Sequence, residues 1–235
     1  MAFKKGEENS MNDIFFYLAM IFITLISFLI SRYLYKWYPI FIFNPVIFGS
    51  FCVIVILLSL HLTYESYMSG AKAIHQLLGP AVVALAFPLY KQRQILAKYF
   101  LPIISGMLGG IFVSVYSGLL VINLISASEE IIPSFVTKNI TTAIAIQVTE
   151  HLNGVSSLSA VFVLIAGCTG VIVGPMLIKW FGLKTPLGRG MAFGSASHAI
   201  GTTKAFEYDE NTGSISSAAM ILTAIFASFI IPLIM

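Results

Sequence analysis

Long runs of apolar residues are the feature that most limits how this chain can fold. An α-helix needs about 20 apolar residues to cross the hydrocarbon core of a bilayer, and only helices and closed barrels satisfy their backbone hydrogen bonds there. The 235 residues are 58% hydrophobic and 10% charged, whereas a soluble domain is about 25% charged. The sequence therefore predicts an all-α polytopic membrane protein, with residues 1–235 forming a single integral membrane domain.

Six crossings are predicted from these runs. They are Ile14–Ser31, Ile40–Leu62, Ala73–Tyr90, Tyr99–Ser126, Val155–Phe181 and Ser214–Ile234. The first is expected to remain as a membrane helix, because no small-residue cleavage site follows it. A polar loop is predicted at Thr63–Lys72, and the third crossing is expected to break at Gly79-Pro80 and at Pro88.

Two polar segments interrupt the apolar pattern and resemble each other. Each contains a Thr-Thr pair, an acidic cluster, Asn and Gly, and then a Ser-Ser pair that opens an apolar run; Thr141 aligns with Thr202. Residues 133–181 and 186–235 are therefore candidate internal repeats. Repeats with polar, glycine-interrupted segments are typical of secondary transporters. The alternative is chance similarity, since Thr, Ser and Gly are common packing residues of membrane helices.

The distribution of basic residues separates two topologies. The basic loop at residues 91–98 marks the cytoplasmic side. If both polar segments cross the membrane, the chain has eight crossings and Lys179, Lys184 and Arg189 lie outside, against the positive-inside rule. If the first segment enters and returns, these bases become cytoplasmic. We therefore expect six to eight membrane segments, including two broken or re-entrant segments in a transporter-like repeat arrangement, and favour six crossings.

The polar segments predict a binding site for a small anion. An intramembrane lysine costs about 2.5–3.5 kcal/mol, while hydroxyl groups and helix N-termini supply donors for a carboxylate. The candidate substrate-binding residues are Lys138, Asn139, Thr141, Thr142, Ser195, Ser197, His198, Thr202, Thr203 and Lys204. The alternatives are helix capping and packing for the threonines, a buried structural role for the histidine, and snorkelling to the surface for the lysines.

The sequence gives weaker signals for a coupling ion and for cofactors than for the anion site. Glu150 and Glu207 are candidates for coupling transport to H⁺ or Na⁺, although both are also expected at water-exposed ends of the polar segments. No cofactor or metal site is predicted, and Cys52 and Cys168 are interpreted as packing thiols. The chain has no enzyme motif with persuasive spacing and no basic stretch for nucleic acid.

Three ordered motifs resemble the LrgB/CidB family. They are Gly79–Gln92, Thr141–Glu150 and Gly194–Glu207, and the resemblance extends from about Met11 to the C-terminus, with the two ends most similar to the CidB branch. Two features differ from the family pattern. Ala143 stands where many members have Pro, and Lys138-Asn139 stands where a basic residue followed by Ser is commoner.

The resemblance implies a multi-pass protein of the bacterial cytoplasmic membrane. It also implies a small holin-like partner of the LrgA/CidA type and a homo- or hetero-oligomer. Family members are described as holin/antiholin-like regulators of murein hydrolase activity and lysis. A chloroplast relative that fuses the two halves is similar to a glycolate/glycerate translocator, and bacterial pairs are linked to pyruvate transport.

Two functions follow as hypotheses. The favoured one is a transporter subunit for small monocarboxylates such as pyruvate, glycolate or lactate, working with the holin-like partner. The alternative is a holin/antiholin-like regulator of lysis, for which packing at Gly106, Gly109 and Gly110 would matter more than the polar residues. The exact solute, coupling ion and stoichiometry are left open by the sequence.

Overall fold

The computed structural model describes residues 2–38, 40, 43–126 and 128–235. It is 85% helical, with no strand among these residues. The chain forms two compact units, Met1–Leu78 and Gly79–Met235, and each is described by itself. The predicted crossing Ile40–Leu62 includes residues 41 and 42, which lie outside the described part.

Twelve α-helices are assigned within the described residues. They are α1 (Ala2–Trp37), α2 (Pro45–Ser59), α3 (Tyr64–Gln76), α4 (Leu78–Ala84), α5 (Ala86–Lys91), α6 (Arg93–Lys98), α7 (Phe100–Leu124), α8 (Ile132–Val136), α9 (Thr142–His151), α10 (Ser156–Trp180), α11 (Pro186–Phe206) and α12 (Glu210–Ile234). A 3₁₀ turn, Glu129–Ile131, precedes α8.

Among the described residues, five helical stretches are long and apolar enough to cross a membrane. They are Ile14–Trp37, Tyr64–Lys91, Phe100–Leu124, Ser156–Trp180 and Glu210–Ile234, and α2 is a shorter apolar helix. The protein is therefore an all-α membrane protein, as the composition predicted.

The first unit consists of α1, α2 and α3, with α1 in contact with the other two helices. Gly70 of α3 lies against Met20 of α1, where an added Cβ would come within 2.7 Å of the Met20 side chain. The prediction of a polar loop at Thr63–Lys72 was wrong. Thr63 instead caps α3, since its Oγ1 accepts a hydrogen bond of 3.2 Å from the Ser66 N–H.

The breaks expected in the third crossing occur, but they precede the prolines. The helix is interrupted between α3 and α4 and again between α4 and α5. Pro80 and Pro88 then lie in the first turns of α4 and α5. A proline is tolerated there because the first helical N–H groups have no intrahelical partner in any case.

Helices α8 and α9 form a hairpin, here called the first hairpin. Ser134 near the start of α8 exchanges hydrogen bonds with the backbone of Val155, which follows α9. Deeper in the hairpin, Thr137 Oγ1 lies 3.0 Å from Thr149 Oγ1. The two arms are therefore antiparallel, and both ends of the hairpin lie at the N-terminal end of α10. Its turn, residues 137–141, is called the first tip.

Helix α11 also turns back on itself, at His198, whose φ of 40° and ψ of −134° are not helical. The rings of Phe193 and Tyr208 are 5.8 Å apart, whereas a continuous helix would separate these residues by about 22 Å. An added Cβ at Gly201 would lie 2.8 Å from the Phe193 carbonyl oxygen. Residues 186–206 are therefore a second hairpin, and His198 is the second tip.

The two hairpins point in opposite directions. The first arm of α11 runs parallel to α12, since Gly190 lies against Thr212 and Gly194 against Ser216. It runs antiparallel to α10, where Gly167 lies against His198 at the tip. Each hairpin is thus followed by a long helix parallel to its own first arm, and the two long helices, α10 and α12, are antiparallel.

Candidate functional site

The two hairpin tips meet beside the middle of α10. A cavity of about 360 Å³ lies between them, lined by Lys138 and Asn139 of the first tip, Thr169 and Gly170 of α10, and Ser197 of the second hairpin. Phe135, Phe162, Ile165, Ala166 and Ala196 complete its wall. An apolar wall with a few polar groups is the usual make-up of a small-molecule site.

Lys138 carries the charge at this cavity. Its ammonium donates a hydrogen bond of 3.3 Å to the backbone carbonyl of Ser114 on α7 and lies 4.5 Å from the centre of the Phe135 ring. Among the described residues the one ion pair is Lys204–Glu207, so Lys138 has no carboxylate partner. The Ser114 carbonyl and the Phe135 ring offset only part of the free-energy cost of removing an ammonium from water. The first tip therefore offers an uncompensated positive charge.

Asn139 also borders a second, much smaller cavity of about 10 Å³, enclosed by α7, the first tip, α11 and α12. Ser195 lines it as well, with its hydroxyl bonded to the Met191 carbonyl at 2.6 Å. The hydroxyls of Ser114 and Thr223 are buried without a hydrogen-bond partner in the described part of the chain, and both residues line this space. Its volume is close to the lower limit for one water molecule.

The second tip is fixed to α10 through His198. The ring is buried, and Nε2 lies 2.9 Å from the Val163 carbonyl oxygen. Because a carbonyl only accepts, Nε2 carries a proton in this arrangement. Gly167 and Gly170 make room for the tip, since a Cβ at Gly167 would come within 2.7 Å of the ring and one at Gly170 would overlap Ser197.

The remaining sequence-predicted residues lie away from the cavity wall. Thr202 is buried and bonds the His198 carbonyl and the Ser216 hydroxyl, each at 2.9 Å, which joins the second hairpin to α12. Thr203 is exposed and bonds its own helix at the Ile200 carbonyl. Lys204 pairs with Glu207 three residues on. The structure thus does not bring Thr202, Thr203 or Lys204 to the cavity.

The first Thr-Thr pair follows the tip directly. Thr141 is the residue before α9, and its buried hydroxyl has no hydrogen-bond partner among the residues that the structure describes. Thr142 is the first residue of α9 and is exposed. The aligned Thr202 lies a full turn beyond its tip, so the repeat alignment does not place the two pairs at equivalent depths.

The acidic residues predicted for coupling lie at the outer ends of the hairpins. Glu150 is exposed and accepts a hydrogen bond from Ser156 at 3.1 Å, and Glu207 is exposed as well. Asp209 begins α12 as its N-cap, and hydrogen bonds from the side chain and then the backbone of Thr212 hold the pKa of its carboxyl below the usual range.

A buried hydroxyl cluster in the first hairpin was not predicted from the sequence. Thr137 Oγ1 lies 3.0 Å from Thr149 Oγ1 and 2.9 Å from Ser159 Oγ, and it bonds the Pro133 carbonyl at 3.0 Å. Sequence spacing gives no signal for it, because the members come from three helices. Thr169 and Gly170 were also not predicted, because they lie within an apolar run of α10 and outside both polar segments.

No group of His, Cys, Asp and Glu that could hold a metal is found in the described residues. Cys52 and Cys168 are free thiols. The polar groups that line the cavity between the tips are the Lys138 ammonium, the Asn139 amide and the hydroxyls of Thr169 and Ser197. The rest of its wall is apolar.

Comparison with known proteins identifies the family. The LrgB-like family profile matches residues 24–235. The chain belongs to this family. The "Holin-like protein CidB" of Staphylococcus epidermidis (strain ATCC 12228 / FDA PCI 1200) is 33% identical over 95% of this chain and 98% of its own length. The "Uncharacterized protein YxaC" of Bacillus subtilis (strain 168) is 44% identical over 92% of this chain and 94% of its own. No solved structure matches the chain significantly. The resemblance seen in the sequence motifs is thereby confirmed.

Proposed function

We propose that this chain is the transport subunit for a small monocarboxylate of the pyruvate, glycolate or lactate type. The observation that carries the proposal is the Lys138 ammonium, which lies at a cavity between two opposed hairpin tips and has no carboxylate partner among the described residues. A small carboxylate would supply the missing charge, and Asn139 and Ser197 would supply hydrogen bonds to its oxygens.

The arrangement of the hairpins supports a carrier. In this proposal, the first hairpin enters from one side of the bilayer and the second from the other, each returning to the side from which it came. Irregular backbone at the tips is tolerated at membrane depth because protein surrounds it. Inverted repeat units whose broken helices meet at mid-depth are the architecture of alternating access. The chain would then have six crossings and two re-entrant hairpins.

The relative named "Holin-like protein CidB" favours a second candidate, a lysis regulator that acts through association with a holin-like membrane partner of the LrgA/CidA type. Gly109 on α7 has open space within 4 Å of an added Cβ, so a partner helix could approach there. Gly106 and Gly110 instead lie near Met191 and Ser195 of α11. This candidate needs association with the partner but no solute at the cavity.

Uptake into proteoliposomes tests the transport proposal. Radiolabelled pyruvate, glycolate and lactate are offered to the chain alone and to the chain with its holin-like partner. The test variant is Lys138→Gln, and Lys204→Gln is the matched control, because Lys204 has its own carboxylate partner away from the cavity. We expect saturable uptake that Lys138→Gln reduces at least about tenfold, the effect of a lost charged contact, and that Lys204→Gln leaves intact.

Two outcomes would contradict the proposal. If Lys204→Gln abolishes uptake while Lys138→Gln retains it, the binding site is not at the first tip. If the folded wild-type chain with its partner takes up none of the three acids, the transport function is wrong and regulation of lysis becomes the favoured function. Abundance and monodispersity of each variant in detergent are measured alongside.

A further inference from the structure

The position of Lys138 bears on how transport would be coupled, given the proposed function. The ammonium is part-buried in the second unit, against a carbonyl of α7 and the ring of Phe135. Removing an amine from water disfavours its charged form, and a neighbouring anion favours that form. With no carboxylate partner among the described residues, the charge of Lys138 depends on what occupies the cavity.

The surrounding helices offer no other group that fixes this charge. The titratable residues within α7, α10 and α11, the helices packed around the tip, are Tyr116, Cys168, Lys179, Arg189, His198 and Lys204. None forms a hydrogen bond or ion pair with the Lys138 ammonium: His198 bonds Val163 and Lys204 pairs with Glu207. The acidic residues Glu150 and Glu207 lie at the outer ends of the hairpins, where they are exposed.

We infer that Lys138 is the proton-binding residue that couples this carrier to H⁺. The empty site changes its side of access only after Lys138 has lost its proton, because a part-buried ammonium without a carboxylate partner is costly there. A carboxylate and one proton enter together, the proton binds the Lys138 Nζ, and the resulting ammonium pairs with the carboxylate. Release on the other side returns both. One anion and one proton cross per cycle, so the site moves no net charge in either its empty or its loaded form.

This assignment differs from one based on Glu150 and Glu207. A carboxylate in contact with water can exchange protons without sensing the cavity, whereas Lys138 lies on the cavity wall. The electroneutral cycle also removes the cost of carrying an uncompensated charge through the low-dielectric part of the membrane. Proton binding and substrate binding are thereby one linked event.

Calorimetry on the purified chain with its holin-like partner measures this linkage. Pyruvate is titrated in buffers that differ in ionisation enthalpy, and the slope of the observed heat against that enthalpy gives the protons taken up per pyruvate bound. Pyruvate is already ionised throughout, so its own carboxyl contributes nothing. We expect the uptake to approach one proton per pyruvate as the pH is raised and to fall as the pH is lowered, because the free amine binds a proton from solution only when it was deprotonated beforehand.

Lys138→Arg is the informative variant, because a guanidinium stays protonated. Its proton uptake per bound pyruvate is expected to fall to near zero, and whatever binding remains should lose its dependence on pH. Lys204→Arg is the control and should keep the wild-type proton uptake.

Each outcome has a distinct meaning. Pyruvate binding without proton uptake at any pH would overturn the inference and leave the transport proposal standing. Proton uptake that persists in Lys138→Arg would move the role to another residue and overturn it as well. Absence of pyruvate, glycolate and lactate binding by the folded wild type would overturn the proposed function, and this inference with it.

Discussion

Two lysines at similar places in the repeated segments have different surroundings. Lys204 has an acidic residue three positions later, Glu207, which directly follows α11, and the two side chains pair. Lys138 has Phe135 and Thr141 at the corresponding spacings. This difference was readable in the sequence, since i, i+3 neighbours on a helix are local. It explains why Lys204 has a carboxylate partner and Lys138 has none among the described residues.

The same substitution at two threonines tests how much a hydrogen-bonded buried hydroxyl contributes to the stability of the protein. Thr137→Val removes a buried hydroxyl that joins Thr149 and Ser159 and leaves those groups short of a partner. We expect a loss of about 1–2 kcal/mol in stability. Thr223→Val removes a buried hydroxyl that has no hydrogen-bond partner, so it should be neutral or stabilising. Thermal unfolding in detergent measures both.

The two variants can be compared directly because valine has nearly the same shape as threonine, so each variant mainly removes the hydroxyl. Equal destabilisation by the two variants would mean that the hydroxyl cluster does not hold the first hairpin together. A larger loss for Thr223→Val would mean that its hydroxyl has a partner, such as a water in the small cavity beside it.

At the scale of elements, reversal of the chain within α11 is the feature that builds the site. The turn is a single residue, His198, in a backbone conformation that costs of order 1–3 kcal/mol for a residue with a side chain. Contacts of the ring with Val163 and Gly167 on α10 hold it in place. Ser197 is the last residue before this turn, and it lines the cavity together with Lys138 and Asn139 of the first tip.

Cysteine cross-linking tests the reversal. In a chain with Cys52 and Cys168 replaced by serine, the pair Phe193→Cys and Tyr208→Cys is treated with a short bismaleimide. The hairpin places these residues side by side. We therefore expect an intramolecular cross-link, detected after proteolysis as two peptides joined by the bismaleimide.

A control pair has the same sequence separation on a continuous helix. Ile215→Cys and Ile230→Cys both lie on α12, about 22 Å apart along its axis, and should not cross-link. Cross-linking of neither pair, in protein that reacts fully with a monofunctional maleimide, would contradict the hairpin and favour a continuous α11.

At the scale of the whole molecule, the two hairpins predict where four positions lie relative to the membrane. Both ends of the first hairpin, Glu130 and His151, should be reached from one side, and both ends of the second, Lys184 and Glu207, from the other. Single cysteines at these positions are labelled with a membrane-impermeant maleimide in intact cells and in inverted vesicles. We expect the first two to react in cells and the last two in inverted vesicles.

The same experiment separates the alternative topologies. If each polar segment crosses the bilayer completely, Glu130 and His151 react from opposite sides, and so do Lys184 and Glu207. That result would also place Lys184 against the positive-inside rule and would remove the support that opposed hairpins give to a carrier.

Much of this protein follows from local properties of its sequence. The membrane class follows from the length of the apolar runs, since each helix must satisfy its backbone within lipid by itself. The motif around His198 and the Thr-Thr pair at 141–142 point to the family and to both hairpins. The helix α3 was missed because its polar residues resemble a loop until the cap at Thr63 is considered.

The site itself was decided by tertiary structure. Of the ten candidate residues predicted from the sequence, Lys138, Asn139 and Ser197 lie on the cavity wall, whereas Thr202, Thr203 and Lys204 lie away from it. The reason is physical: amphipathic pattern and composition determine that a segment is helical, but the direction of the chain after a turn depends on packing between distant helices. Here the glycines of α10 make room for the second tip, and this packing places Ser197 on the same cavity wall as Lys138.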